Sequence, residues 1–312
     1  MDDAALAARR MWRLFEPVHT LTYFGPEAQH AFEAAGLRGF WRGYFAGRAT
    51  AGAPAVVAAF FAFAPSMVAG AVPAVWELIS PPEALRVRSA GAVAALRRLV
   101  CDDGVDDDGG VGGGAPDGVL AAADLLSGVT EGLDWAGRPL GGPNAALPVP
   151  DEPLARLWRA ATALREHRGD GHVAALAAAD FDGSEALVLR TAAYLAAARR
   201  PEGAATGLSW PREQVQPLRG WNDAQWDHAA ARLAERGLID AAGVATPAGT
   251  AAHRAVEEGN DRAAARPWAR IGMEATDEIA AALGPAARAA AAGLPFPNPV
   301  GVPAPEADAA GR

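Results

Sequence analysis

From Ala49 to Trp76 the chain carries no charged residue, a run long enough to cross a membrane or to be buried as several shorter helices. Pro54, Pro65 and Pro73, with Gly52 and Gly70, decide between the two. Proline lacks the amide donor of a helix interior and clashes with the preceding turn, so a span here would be broken repeatedly. The segment therefore reads as short buried helices inside a folded domain. A chain of 312 residues, 51% hydrophobic and 21% charged, is long enough to build that domain and a second one. Alanine and leucine outnumber valine, isoleucine and threonine, which sets the expectation of a mainly α fold.

Helical spacing of Ala7, Met11, Leu14 and Phe15 predicts an amphipathic first helix over 3–15, and Pro17 predicts a restart over 16–24. His19 and Tyr23 then share a face, one turn apart. Further helices are expected near 26–35, 38–48, 55–64, 66–79, 82–100, 119–132, 153–167, 171–180 and 184–200. Thirteen of the twenty-two aromatic residues precede position 77. They read first as a ring-rich core, and second as the wall of a cavity for a flat or apolar ligand.

The net charge of −9 includes six aspartates within 102–118, a Gly-rich stretch; without them the balance is −9 + 6 = −3. That stretch reads as a flexible linker, since the ligand alternation of a calcium loop is missing. Nothing in the charge balance resembles a basic footprint for nucleic acid. No charged, then apolar, then small-residue leader pattern opens the chain, and Cys101 is the lone cysteine, so a reducing cytoplasm is the expected compartment and no membrane partner is expected.

The densest polar chemistry is Arg165-Glu166-His167-Arg168-Gly169-Asp170-Gly171-His172. Displacing the chain by 117 positions aligns 157–189 with 40–72, with nine of 33 positions identical, four of them alanine. Two related helical units with a pocket between or within them follow from such a repeat. Against the first copy, Ala49, Thr50, Ala53 and Ala55 have become Glu166, His167, Asp170 and His172. Asp170 reads as the cap of a helix beginning at Gly171. His167 and His172, with Glu166 and Arg168 beside them, are the residues that ordinary solvation explains least.

After Trp210 a helix closed by Gly237, a short strand, the turn Asp240-Ala241-Ala242-Gly243, a return strand and the Thr246-Pro247 helix start follow one another. This is the order of a winged helix-turn-helix with a short two-stranded wing. Through Arg232-Leu233-Ala234-Glu235-Arg236-Gly237-Leu238 and Thr246-Pro247-Ala248-Gly249 the segment resembles the C-terminal half of MarR-type winged-helix proteins. The whole chain resembles a large actinobacterial family of helix-turn-helix proteins of unsettled activity, through Glu16-Pro17-Val18-His19, Phe40-Trp41-Arg42-Gly43-Tyr44 and the 165–172 stretch. The MarR likeness implies DNA contacts from Arg232 and Arg236, yet Asp223, Asp227 and Glu235 share that helix and oppose phosphate binding. The expected organisation is 1–101 and 119–207 as helical units, 102–118 as linker, 208–290 as the winged module and 291–312 as a Pro-rich mobile tail.

Two functions follow. The first is a protein that binds a small apolar or aromatic molecule, with His19, Tyr23, Trp41, Arg42, Arg168 and Asp170 lining or supporting the pocket, the winged helix regulating transcription, and a homodimer as the assembly. The second is an enzyme of specialised metabolism with His172 or His167 as general base and Glu166 or Asp170 orienting it. No metal motif or cofactor loop is present in the sequence; an axial haem contact at His19 is the one cofactor reading the residues allow.

Overall fold

The computed structural model describes residues 2–39, 43–45, 53–101, 116–199, 211–296, 298, 300 and 301, and most of them are helical. Helices α1 (Asp3–Phe24) and α2 (Pro26–Ala34) meet at Gly25. The charge-free segment holds α3 (Ala53–Ala59), α4 (Pro65–Ala71) and a 3-10 turn at Ala74–Glu77. Pro65 stands in the first turn of α4, where a missing amide is harmless. Among the described residues no helix is long and apolar enough to cross a membrane. Then come α5 (Pro81–Val100), α6 (Asp117–Thr130), the short α7 (Gly141–Ala145), α8 (Pro153–Ala178) and α9 (Gly183–Ala198). The chain ends with α10 (Arg212–Leu218), α11 (Asp223–Glu235), α12 (Pro247–Ala263) and α13 (Arg266–Ala292).

Two expected breaks are absent. Pro17 lies inside an unbroken α1, buried with Phe15, Val18 and Leu21, so packing of that apolar face outweighs the one lost backbone bond. Gly169-Asp170-Gly171 lies inside an unbroken α8, so Asp170 is not a cap for a new helix. The glycine is needed for contact rather than for a turn: a Cβ on Gly171 would lie 2.9 Å from the Ala263 methyl carbon of α12.

The main core joins α1, α5, α6, α8 and α13 through Met11, Leu96, Leu126, Leu157 and Leu283. A break at Gly272, with φ of +82°, turns α13 back along α1. Leu294, placed in a mobile tail by its proline-rich surroundings, is buried in this core; residues 302–312, like 102–115 of the expected linker, lie outside the described residues. A second cluster is aromatic: Phe45, Phe60 and Phe63 meet edge to face, with centroids 5.1–5.8 Å apart. The third packs α9 on α11 and α12 through Leu187, Trp226, Leu233 and Val256. Displaced by 117 positions, Ala59 and Pro65 fall on Leu176 and Asp182, beside the end of α8 and the start of α9, so the two aligned stretches interrupt their helices at equivalent places.

Helices α10 and α11 are joined by a short turn, with Asn222 and Gln225 forming a capping box at the start of α11. The expected two-stranded wing is reduced to one antiparallel bridge, Ile239 to Ala245, and the described residues contain no strand. The loop is too tight for more. The Asp240 carboxylate accepts from the amides of Ala242 and Val244, both at 2.9 Å, and Thr246 already caps α12 by accepting from Gly249 at 3.1 Å. The amide of Ala245 donates to Ala192 at 3.1 Å, tying the hairpin to α9.

Gly249 sits against this hairpin so closely that a Cβ would lie 1.9 Å from the Leu238 carbonyl oxygen. Gly249→Ala is therefore expected to lower unfolding free energy by about 1–3 kcal/mol, the range for overpacking. Urea denaturation measures it, and a variant as stable as its parent refutes the contact.

Candidate functional site

Arg165, Arg168, Gly169, His172, Val173 and Leu176 recur at three- and four-residue spacing, so the uninterrupted α8 presents them as one stripe. That stripe forms one wall of a cavity of about 260 Å³. The opposite wall is the turn after α3, where Phe60, Phe61 and Phe63 lie. Helix α9 adds Leu187, Arg190 and Tyr194, and α12 adds Glu257 and Asn260. The cavity is thus aromatic on one side and cationic on the other, and it lies between the two stretches that the internal alignment pairs.

The cationic wall is held by ion pairs with little solvent access. The Nη2 of Arg168 lies 2.8 Å from one oxygen of Asp261, and Arg9 of α1 lies 2.5 Å from the other. Asp261 has no exposed surface, a situation a carboxylate tolerates only when paired. The Arg168 guanidinium also stacks over Trp12 at 4.9 Å, while its Nη1 is buried without a hydrogen-bond partner among the described residues. Arg165 is shared between Glu16 at 3.3 Å and Glu166 at 3.0 Å. Although burial alone would lower its pKa, those two carboxylates hold it well above its ordinary value.

Of the sequence-derived candidates, His172 and Arg168 line the cavity. The Nδ1 of His172 is 3.8 Å from Glu257, and its side chain is 38% accessible because it faces the cavity. Desolvation by the surrounding protein lowers its pKa against the pull of Glu257, with Arg190, Arg168 and His253 adding to the depression. Burial pushes the Glu257 carboxyl up, but His172, His253, Arg168 and Arg190 together hold it below its ordinary value. A half-exposed pair of this kind, beside two arginines, presents both a proton-carrying ring and a carboxylate to anything in the cavity.

The other candidates sit elsewhere. His167 is on the far side of α8, its ring edge against Trp135 at 5.7 Å, and it is absent from the cavity wall. Asp170 is on that side too, accepting from the amides of Leu140 at 3.1 Å and Gly141 at 2.8 Å. It anchors the loop before α7 to α8. Glu166 is buried against Arg165. His167, His172 and Glu166 therefore do not converge as a catalytic group, because their positions on one continuous helix point them in different directions. His19 is fully buried, with Nδ1 3.0 Å from Thr162 Oγ1 and Nε2 2.8 Å from Tyr23 Oη. Its ring lies parallel to Trp158 at 6.5 Å. Both nitrogens are engaged, so a haem iron at His19 would have to displace one of those bonds. His19 and Tyr23 brace α1 on α8 rather than lining the cavity, and Trp41 and Arg42 lie outside the described residues.

Arg232 and Arg236 lie against the residues between α8 and α9 and the start of α9 while staying partly exposed. Arg232 bonds Glu185 at 2.9 Å and also Asp182, and Arg236 donates to the Asp180 carbonyl at 3.0 Å while covering Phe181 at 4.5 Å. The exposed side of α11 carries Asp223, Asp227 and Glu235. Reasoning from sequence missed Arg190, Tyr194, Glu257 and Asn260. The first two share a face of α9 at four-residue spacing and the second two lie one turn apart on α12, but nothing local ties either pair to α8.

The helical bundle and the helix order of its C-terminal part, α10, α11, hairpin and α12, agree with a helix-turn-helix class of protein. The chain belongs to a helix-turn-helix family, whose model matches residues 8–297. Neither a curated protein nor a solved structure matches it.

The two far-side residues generate a pH test. Burial pushes the Asp170 carboxyl up from 3.8 to about 6, against the Gly141 and Leu140 amides. Burial, then Arg138 and Arg266, pushes His167 down from 6.5 to about 4. A raised folded-state pKa means that the Asp170 contribution is lost as pH rises from 3.8 to about 6. A depressed histidine loses its contribution as pH falls from 6.5 to about 4, so the two slopes oppose each other in one window. Relative to the parent, Asp170→Asn is expected to gain stability with rising pH across this window and His167→Gln to lose it. Each difference should approach roughly 3 kcal/mol at 1.36 kcal/mol per pKa unit. Denaturant titrations at several pH values measure it; profiles parallel to the parent's in both variants refute the assignments.

Proposed function

We propose that this is a small-molecule-binding helix-turn-helix protein, in which the occupant of the α8–α12 cavity sets how the α10–α12 module sits on the helical body. The supporting observation is that one wall belongs to α8 and another to α12, the helix that leaves the hairpin. An occupant touching both has differential contacts with any two arrangements of the module, which is what a ligand needs to shift an equilibrium. The Phe60, Phe61 and Phe63 wall suits an apolar or aromatic body.

A regulator that binds DNA is favoured by membership of a helix-turn-helix family, while the finer MarR-type reading rests on the sequence resemblance at 232–238 and 246–249 alone. On that reading the duplex contacts come from residues other than Arg232 and Arg236, whose guanidinium groups are bonded to Asp182, Glu185 and the Asp180 carbonyl. The enzyme alternative keeps His172, which lines the cavity beside Glu257, and loses His167 and Glu166, which lie away from that wall.

Val173 lies at the centre of the α8 stripe, so Val173→Trp would fill the cavity from the helix side. Thermal-shift screening with small aromatic and aliphatic compounds is expected to find stabilisers of the parent that leave Val173→Trp unmoved, with its own melting temperature near the parent's. A parent stabilised by none of them, or a variant stabilised equally, overturns the reading. Gel shifts at low salt, with and without the stabilisers, then test the DNA arm: a shift that a stabiliser alters supports a regulator, and no shift in either state removes it.

A further inference from the structure

We infer that the cavity's occupant is a monoanionic carboxylate with an apolar body, its head group seated between Arg168 and Arg190. The inference rests on the ligand-binding reading above and names the chemistry of that same site.

The first observation is an unused donor. Arg168 is 5% exposed and lines the cavity; its Nη2 is taken by Asp261 and its Nη1 has no partner among the described residues. A guanidinium nitrogen left unsatisfied away from water is unfavourable by the desolvation of a charged donor, and an arriving acceptor removes that penalty. The second observation is a cation without a close partner. Arg190 reaches the same cavity from α9, with its guanidinium 5.4 Å from the Tyr194 ring; among the described residues it makes no ion pair within contact distance, and Glu257 of the same cavity acts on it only from farther away. A planar carboxylate can accept from two guanidinium groups on different helices at once.

Charge balance selects one negative charge over two. Counting the charged groups of the cavity wall with their ion-pair partners, Arg9, Arg165, Arg168, Arg190 and Arg219 stand against Glu16, Glu166, Glu257 and Asp261, leaving 5 − 4 = +1 with His172 neutral. A carboxylate cancels that excess. A phosphate monoester, near −2 at neutral pH, would bring a second charge toward Glu257. Beyond the head group the cavity runs to Phe60 and Phe63, and about 260 Å³ accommodates a ring system or a medium alkyl chain. His172 and Asn260 line the same cavity; the imidazole can donate to the second carboxylate oxygen, whereas the Asn260 Oδ1 only accepts and suits a hydroxyl on the occupant.

The test compares acids with their neutral counterparts on the full chain: 3-phenylpropanoate, 2-naphthoate and octanoate against the corresponding primary amides, by calorimetry. Arg190 is the residue to vary, because Arg168 holds Asp261 and its loss threatens folding; Arg190→Met and Arg190→Lys are compared with the parent, and circular dichroism checks each fold. Acids are expected to bind at least about tenfold more tightly than amides, as a charge-assisted bond predicts. Arg190→Met should bring the acids down to the amide level without moving the amides, and Arg190→Lys should recover part of the difference. Equal affinities of acid and amide in the parent, or an acid preference that survives Arg190→Met, overturn the carboxylate inference and leave the cavity reading standing. Binding by no member of either series overturns both.

Discussion

Asp261 is a carboxylate with no exposed surface, and two guanidinium groups from different helices are what allow it to be there. Arg9 comes from α1 and Arg168 from α8, so the pairing fastens three long helices at one point. Removing one partner of a buried pair leaves an uncompensated charge, at about 3–5 kcal/mol, and that penalty keeps the three helices in register more than the attraction itself does. The cavity is a consequence. With Arg168 drawn toward Asp261 and flattened on Trp12, one end of its guanidinium is occupied and the other is buried at the wall of the cavity without a partner among the described residues.

The same wiring explains why the helix-turn-helix part does not look like a free DNA reader. The arginines of α11 neutralise the acidic start of α9, where Asp182 and Glu185 also form a capping box, so they are structural cations. Outward on α11, Asp223 and Asp227 are paired with Arg212 of α10, so the arginine nearest that face is also taken by carboxylates rather than offered to the phosphate charge that supplies most non-specific affinity. Helix α12, by contrast, is tied both to the hairpin at Gly249 and to the cavity at Glu257 and Asn260. It is the element through which the two halves of the fold meet.

The helical class, most helix positions and the order of the C-terminal module were legible because each has a local cause: alanine-leucine content, proline at helix starts, the cap at Thr246, glycine at 237. What was misread was tertiary in origin. Gly169 and Gly171 resemble a turn in sequence, yet α8 continues because the absent side chain at 171 admits Ala263, and packing overrides propensity. Pro17 was misread in the same way, its lost bond outweighed by a buried face. The 165–172 cluster did mark the site, but only half of it. Arg165, Arg168 and His172 face the cavity while His167 and Asp170 face the loop before α7, a division that the helical period would have given had the glycines not suggested a break. Arg190, Glu257 and Asn260 had no such local signal, since only folding brings α9 and α12 beside α8.

The continuity of α8 makes those two faces parts of one stiff rod, about 39 Å long at 1.5 Å per residue. On one side the rod carries the anchor of the 134–146 loop, through Asp170 and through the Arg138 bonds to the carbonyls of His167 and Ala263; on the other it carries the cavity stripe. Arg138 bridges α8 and α12 from behind. The spacing between the two helices that clasp an occupant is thus set partly by a residue that never meets it, so loop sequence far from the cavity can tune how wide the clasp opens.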